Sequence, residues 1–372
     1  MPVFEKRVDL EIVRGIKVFL KVEAGVTRDG VAEPVAGSGT SKASGASGRT
    51  NARTGRLEQA GRRMARKGRA ALGRRARRRP GGEEVGGIRP ENVVWIFGSA
   101  RTGSTWLSRM MGELRGQTVW REPLVGALFG NLYYDRAKHL IGKEGTHYIL
   151  EDGYRESWLG SIRTFFLNEA TGRFPEAAGP GSYLVVKEPN GSSGAPLLME
   201  ALPESRMILL IRDPRDVAAS TVDAKRKGSW QYENRNNKGE RKPETLADAD
   251  PDAFVRNRAW SYLKAIGYTK QAYDAHKGRK VLVRYEELRA DALGTMRRIY
   301  SALEIPVDEG ELIRVVKEHS WENIPEELKG EGKVFRKATP GGWREDLSAE
   351  QTRTVERIAA PLLEEFYPDD KP

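Results

Sequence analysis

The sequence predicts an α/β fold of three layers, with a central, mostly parallel sheet covered by helices on both faces. Three observations predict it. Short apolar runs of the buried-strand kind recur at Val93–Phe97, Tyr183–Lys187, Met207–Ile211 and Lys280–Arg284. Stretches with helical spacing lie between them, as alternating βα units require. The first run ends in a glycine-bounded loop that opens directly into a helix. No internal repeat is present.

The chain before these runs is different in kind. Residues 3–28 alternate apolar and charged groups (Val8, Leu10, Ile12, Val13, Ile16) and suit a short strand or helix. Gly30–Gly48 is rich in Gly, Ser, Ala and Thr and reads as a flexible linker. Arg49–Arg79 carries 13 Lys and Arg against one acid, Glu58, with few apolar residues to bury. That composition predicts a largely disordered basic tail. Contact with nucleic acid or another anionic surface is the alternative use for it. Residues 1–90 hold 21 basic and 9 acidic residues, which leaves 42 basic and 43 acidic for the rest. The net charge of +11 on 372 residues therefore resides in the tail, and the folded part is nearly neutral. The expected organisation is a tail over 1–89 and one folded domain over 90–372.

Composition also excludes chemistries. With no cysteine there is no disulfide framework, no thiolate metal site and no Cys nucleophile. Four histidines argue against a multi-His metal site, so no metal is expected. Every window of about 20 residues contains charges, which disfavours a membrane span. Glu5, Lys6, Arg7 and Asp9 interrupt any signal-peptide core. A cytoplasmic protein is expected.

Within the folded part, Val93–Phe97 is the first strand and Gly98–Gly103 its loop. Ser104–Leu114 follows as a helix, with Leu107, Met110, Met111 and Leu114 on one face. Asp213-Pro214 signals the start of a helix running to Lys225. Ala224–Asp250 is long and polar, a lid or a disordered segment. Phe254–Ala275 and Leu288–Leu303 read as helical stretches, on either side of the Lys280–Arg284 strand.

The loop Gly98-Ser99-Ala100-Arg101-Thr102-Gly103-Ser104-Thr105-Trp106 nearly fits the G-x4-G-K-[ST] phosphate template. Glycines let backbone N–H groups approach phosphate oxygens, and a helix N-terminus adds a favourable dipole. The template lysine is replaced by Ser104, and the only cation in the loop is Arg101. A nucleoside triphosphatase would lose its point charge on the β/γ-phosphates. Taken alone, the pattern also suits a plain strand-turn-helix.

Arg101-Thr102-Gly103-Ser104-Thr105-Trp106 resembles the 5′-phosphosulfate loop of sulfotransferases that use 3′-phosphoadenosine 5′-phosphosulfate (PAPS). Met207–Ser220 (M-I-L-L-I-R-D-P-R-D-V-A-A-S) resembles their 3′-phosphate strand and helix, with Arg212 and Ser220 eight residues apart. Arg336-Lys337-Ala338-Thr339-Pro340-Gly341-Gly342-Trp343 is similar to the R-K-G-x-x-G-[DN]-W segment that closes over the nucleotide, except that Ala338 and Gly342 depart from the pattern. The resemblance covers about two thirds of the chain. It implies a P-loop-NTPase-like version of the three-layer fold and PAPS as co-substrate. It implies that Thr102, Gly103, Ser104 and Thr105 hold the 5′-phosphate, that Trp106 stacks on adenine, and that Arg212, Ser220, Arg336 and Lys337 bind the nucleotide.

Sulfuryl transfer needs a cation on the leaving oxygen, a base for the acceptor proton and an anchor for the nucleotide. Arg101 takes the first role by resemblance, with Lys187 near the sulfuryl group. The strand-end His of the cytosolic animal enzymes falls at Pro189 here. Trp120-Arg121-Glu122-Pro123-Leu124 resembles the E-P-L element of carbohydrate sulfotransferases, which makes Glu122 the first candidate base and Glu188 the second. The acceptor stays open between a carbohydrate, a glycolipid and a small molecule. His139, His147, His276 and His319 match no catalytic position. Arg284-Tyr285-Glu286-Glu287-Leu288 resembles a recurring family segment and reads as structural. Two other readings remain: a small-molecule kinase of the related fold, and an anion- or nucleic-acid-binding protein acting through its tail.

Overall fold

The structure is a computed structural model and describes residues 86–143, 145–229, 232–233, 245–330, 332–333 and 339–368. The expectations for the tail over residues 1–85, and for Arg336 and Lys337, lie outside the described residues. Two units divide the chain, Met1–Arg79 and Pro80–Pro372, and the described residues belong to the second.

Five parallel strands form the sheet: β1 (Val93–Gly98), β2 (Gln117–Arg121), β3 (Tyr183–Lys187), β4 (Arg206–Ile211) and β5 (Lys280–Arg284), in the order β2-β3-β1-β4-β5. Register pairs Trp95 with Val186 on one side and with Met207 on the other. The four strands read from sequence are present. The fifth, β2, was not expected, because it is an edge strand with partly exposed residues and no apolar run.

The connecting helices are α1 (Ser104–Gly112), α2 (Val125–Gly130), α3 (Arg155–Arg173), α4 (Ala195–Ala201), α5 (Pro214–Lys225), α6 (Leu246–Ala249), α7 (Pro251–Ala275), α8 (Tyr285–Ala290), α9 (Ala292–Ala302), α10 (Glu309–Glu318), α11 (Trp343–Asp346) and α12 (Ala349–Phe366). Side chains alternate across the sheet. Trp95, Phe97, Leu184, Val186 and Met207 face a layer containing Trp158, Ile162, Phe166 and Leu198. Val94, Ile96, Val185, Ile208 and Leu210 face Leu107, Met111, Met296, Ile299 and Leu312. The three-layer expectation holds.

The helical stretch at Leu288–Leu303 is carried by two helices, the end of α8 and α9. Asp291 takes an extended conformation (φ −142°, ψ 87°), and its carboxylate accepts from the Gly294 amide at 2.8 Å, which starts α9 afresh. Packing reaches a little ahead of the expected boundary at residue 90. Ile88 is buried in the first core layer, and its amide donates to Thr171 Oγ1 at 3.0 Å.

Elsewhere local chemistry follows the sequence. Asp213 caps α5 through the Arg215 amide, with Pro214 at the first helical position. Ser348 and Gln351 form a reciprocal capping box at the start of α12. The histidines set aside earlier are exposed (His139, His147) or packed in the fold (His276, His319).

Candidate active site

All strands run the same way, so their carboxyl ends gather at one edge of the sheet, where open α/β folds bind ligands. The loop after β1, Glu122 after β2, Lys187 and Glu188 at the end of β3, Arg212 after β4 and Tyr285 after β5 share that edge.

The loop after β1 is tied down from several sides. The Gly98 amide donates to Ser192 Oγ at 3.0 Å, and Thr102 Oγ1 donates to the Ser99 carbonyl at 2.7 Å. Thr102 is thus fully buried by its own turn, and its side chain is committed to it. Gly103 has φ 89° and begins α1 without a side-chain cap. A Cβ there would come within 2.6 Å of the Tyr285 ring, so both conformation and space demand glycine. Arg101 also has positive φ, 73°, and its Nε donates to Ser220 Oγ at 3.1 Å. The loop cation and the α5 serine, 119 residues apart, therefore meet directly.

Arg212 completes this anion-seeking group. One guanidinium nitrogen donates to the Arg101 carbonyl at 3.2 Å, and another lies 3.8 Å from Asp216. The guanidinium rests 4.3 Å from the centre of the Tyr285 ring. Its Nε is buried with no hydrogen-bond partner among the described residues. A buried guanidinium N–H without an acceptor is costly and suits an incoming oxyanion. The hydroxyl of Tyr262 from α7 donates to the Arg212 carbonyl and fixes the strand end.

The second arginine of the same motif has a different task. Arg215 is 1% exposed, bonded to Asp213 at 2.8 Å and to Glu356 at 3.0 Å, and covers the Trp343 ring at 4.3 Å. Asp216 accepts from the amides of Gly341 at 2.9 Å and Trp343 at 3.1 Å. Burial raises its carboxyl, while Arg212 and the two amides pull it back. Asp223, two turns on, accepts from the Gly332 amide at 3.1 Å. Sequence reasoning missed both aspartates. The D-P-R-D spacing is a helix-start signal, and only the fold brings α5 against Gly332, Gly341 and Trp343.

Trp106 is half-buried. Its indole N–H donates to the His319 carbonyl at 2.9 Å, and its ring meets Tyr285 edge-on at 6.4 Å. The sequence reads Tyr285 as structural. It is buried as expected, but it lies beneath Gly103, Trp106 and Arg212 together, which places it at the site.

The candidate bases separate cleanly. Glu122 is exposed and pairs with Lys187 Nζ through one oxygen. Its other oxygen accepts from Asn190 Nδ2 at 3.0 Å. Lys187 is almost buried and also reaches Thr105 Oγ1 at 3.4 Å, which links the pair to the phosphate loop. Asn190 carried no signal in the sequence. Glu188 has no exposed surface, and its two oxygens accept from the amides of Leu124 at 3.0 Å and Gly126 at 3.2 Å. Desolvation raises its carboxyl to about 7 against those two hydrogen bonds. Both oxygens of Glu188 are thus engaged and closed off from outside, whereas the Glu122 carboxylate is exposed.

Among the described residues no group of His, Asp and Glu could hold a metal ion, and no helix is long and apolar enough to cross a membrane.

A loop that nearly fits the phosphate template without its lysine, an Arg–Ser pair beside it, and a Lys–Glu pair at the neighbouring strand end thus gather at the edge where open α/β folds bind ligands. A protein-family model described as "Sulfotransferase family" matches residues 94–309, from β1 to the start of α10. The chain belongs to the sulfotransferase family. Solved structures similar to it include mouse sulfotransferase SULT7A1 complexed with PAP, with 15% identity over 74% of this chain and 85% of that one and a TM-score of 0.44. Sulfotransferase STF9 from Mycobacterium avium is similar at 16% identity over 75% and 78%, with a TM-score of 0.45. No curated protein sequence matches this chain.

Proposed function

We propose that this enzyme moves the sulfuryl group of PAPS to an acceptor hydroxyl, with Glu122 as the base. The observation that carries the donor is the orphaned, buried Nε of Arg212, set beside the Arg101–Ser220 pair and the uncapped start of α1. These residues fit a nucleotide with a 3′-phosphate: Arg212 and Ser220 would hold that phosphate. The backbone of Gly103–Thr105 would hold the 5′-phosphate at the helix N-terminus. Trp106 would offer a ring face to adenine, and Arg336 and Lys337 would add contacts from the C-terminal segment. PAPS supplies the activated sulfur and its leaving group.

The chain's own residues do the rest. The acceptor oxygen forms a bond to sulfur as the bond from sulfur to the bridging oxygen breaks, and the acceptor proton passes to a Glu122 carboxylate oxygen. Lys187 holds that carboxylate in place and keeps a positive charge beside the loop, where Arg101 stabilises the departing oxygen. Leu124 and Leu128 are 48% and 54% exposed, one helical turn apart, just beyond Glu122. A hydroxyl delivered to Glu122 therefore adjoins apolar surface. That favours an acceptor with an apolar portion, such as a glycolipid or a small aromatic or aliphatic alcohol.

Calorimetry with adenosine 3′,5′-bisphosphate (PAP) against ATP and Mg²⁺ tests the donor. Tight binding of PAP and weak binding of ATP is expected, and the reverse would favour the kinase reading. Comparing sulfated metabolites made with and without the protein, given PAPS, then tests the acceptor.

A further inference from the structure

Glu188 is a fully buried acid for which sulfuryl transfer itself provides no task. Its carboxylate grips the turn that carries Glu122. That turn holds two non-glycine residues at positive φ, Glu122 at 52° and Leu124 at 61°, on either side of Pro123. Side chains disfavour this region, so the surrounding structure must hold the turn in place. The Glu122 amide donates to the Lys187 carbonyl at 2.7 Å, which extends the β2–β3 ladder by one bond. Pro123 has no amide to offer. The next restraints are the Leu124 and Gly126 amides, and both end on Glu188.

The acid is walled in from behind. A Cβ on Gly191 would come within 1.9 Å of Glu188 Oε1. A Cβ on Gly126 would fall 2.1 Å from the Gly191 carbonyl oxygen, so α2 packs backbone against backbone on the 189–194 turn. Glu188 therefore has no room to swing out. The charged groups acting on it are Glu122 from the turn and Lys187 from β3.

We infer that Glu188 is a positioning residue: its two carboxylate oxygens set the Glu122–Gly126 turn so that Glu122 faces Lys187 and the acceptor. The inference rests on the reading of Glu122 as base. A carboxamide cannot do the same, because one of its two heads is a donor and would face an N–H.

The test uses Glu188→Gln and Glu188→Ala in the full chain, read by site-resolved amide hydrogen exchange at pH 8, with PAP calorimetry alongside. Exchange at Leu124 and Gly126 should speed up by about 10-fold or more, the worth of one hydrogen bond. Mid-strand amides of β1 and β4, and PAP affinity, should stay within about twofold, since neither touches the turn. With an acceptor in hand, kcat should fall while KM for PAPS holds. Unchanged protection at both amides would overturn the inference, and so would an equal loss across the whole sheet. Should neither variant fold, the unaltered chain decides: Leu124 and Gly126 must be protected like strand amides, and free exchange there overturns the inference. Failure of the unaltered chain to bind PAP would instead strike the donor reading and leave the exchange result standing.

Discussion

Replacing Glu122 by glutamine removes one negative charge and keeps the shape. The residue is 39% exposed and its partner Lys187 is 5% exposed. Two separate losses follow. The site loses its proton acceptor, which is worth about 10²- to 10⁴-fold in turnover for general-base catalysis. The Lys187 ammonium also loses its counter-ion and is left with neutral acceptors, the carboxamide oxygen and Thr105 Oγ1 at 3.4 Å. Breaking a buried pair costs roughly 3–5 kcal/mol and an exposed one at most about 1. This pair is mixed, so about 1–3 kcal/mol is expected. That would lower Tm by roughly 2–4 °C for each kcal/mol in a domain of this size. Nucleotide binding should be spared, because the bonds that join Arg101, Arg212 and Ser220 do not run through Glu122. The assay is transfer of labelled sulfate from PAPS, with PAP calorimetry and a thermal melt on the same preparation. Turnover within about threefold of the unaltered enzyme would refute Glu122 as the base, since it lies far below the general-base effect. A large loss of PAP affinity would show that Glu122 acts through the phosphate loop instead.

Arg212→Ala should weaken PAP binding by roughly 10- to 100-fold, the worth of one or two charge-assisted phosphate contacts, and calorimetry reads this directly. An unchanged affinity would mean that the orphaned Nε does not face the ligand. Glu188 predicts a pH effect on stability. Burial raises its folded pKa to about 7 from an ordinary 4.5, so the folded state binds this proton more tightly than the unfolded chain. The contribution is present in full below about pH 4.5 and is lost as pH rises through about 7, a swing on the order of 3 kcal/mol. Denaturant titrations should show that slope in the unaltered protein and not in Glu188→Gln; parallel curves would contradict it. Removing residues 1–85 while keeping Ile88 should leave PAP affinity unchanged. A loss would show that the basic segment belongs to the nucleotide site.

The sequence by itself determined the layered α/β architecture, because buried parallel strands must be continuous apolar runs and their helices must repeat with a 3.6-residue period. It also determined the phosphate loop, where the unusual backbone at Gly103 admits only glycine, and the Arg212–Ser220 spacing on one strand-helix corner. Local chemistry carries such features, so they are written locally. Tertiary structure decided what depends on distant chain segments. β2 is an edge strand without an apolar run, and only its pairing with β3 identifies it. Asn190 meets Glu122 because β2 and β3 end side by side. Asp216 and Asp223 hold the amides of Gly332, Gly341 and Trp343 because α5 lies against those residues. The sequence put Glu122 and Glu188 forward as two acids of the same kind. The fold parted them, leaving one at the surface against a lysine and burying the other between two amides and a glycine wall. The cost of burying charge gives the two carboxyls different environments, and burial is a property of the assembled layers, not of either residue's neighbours in the chain.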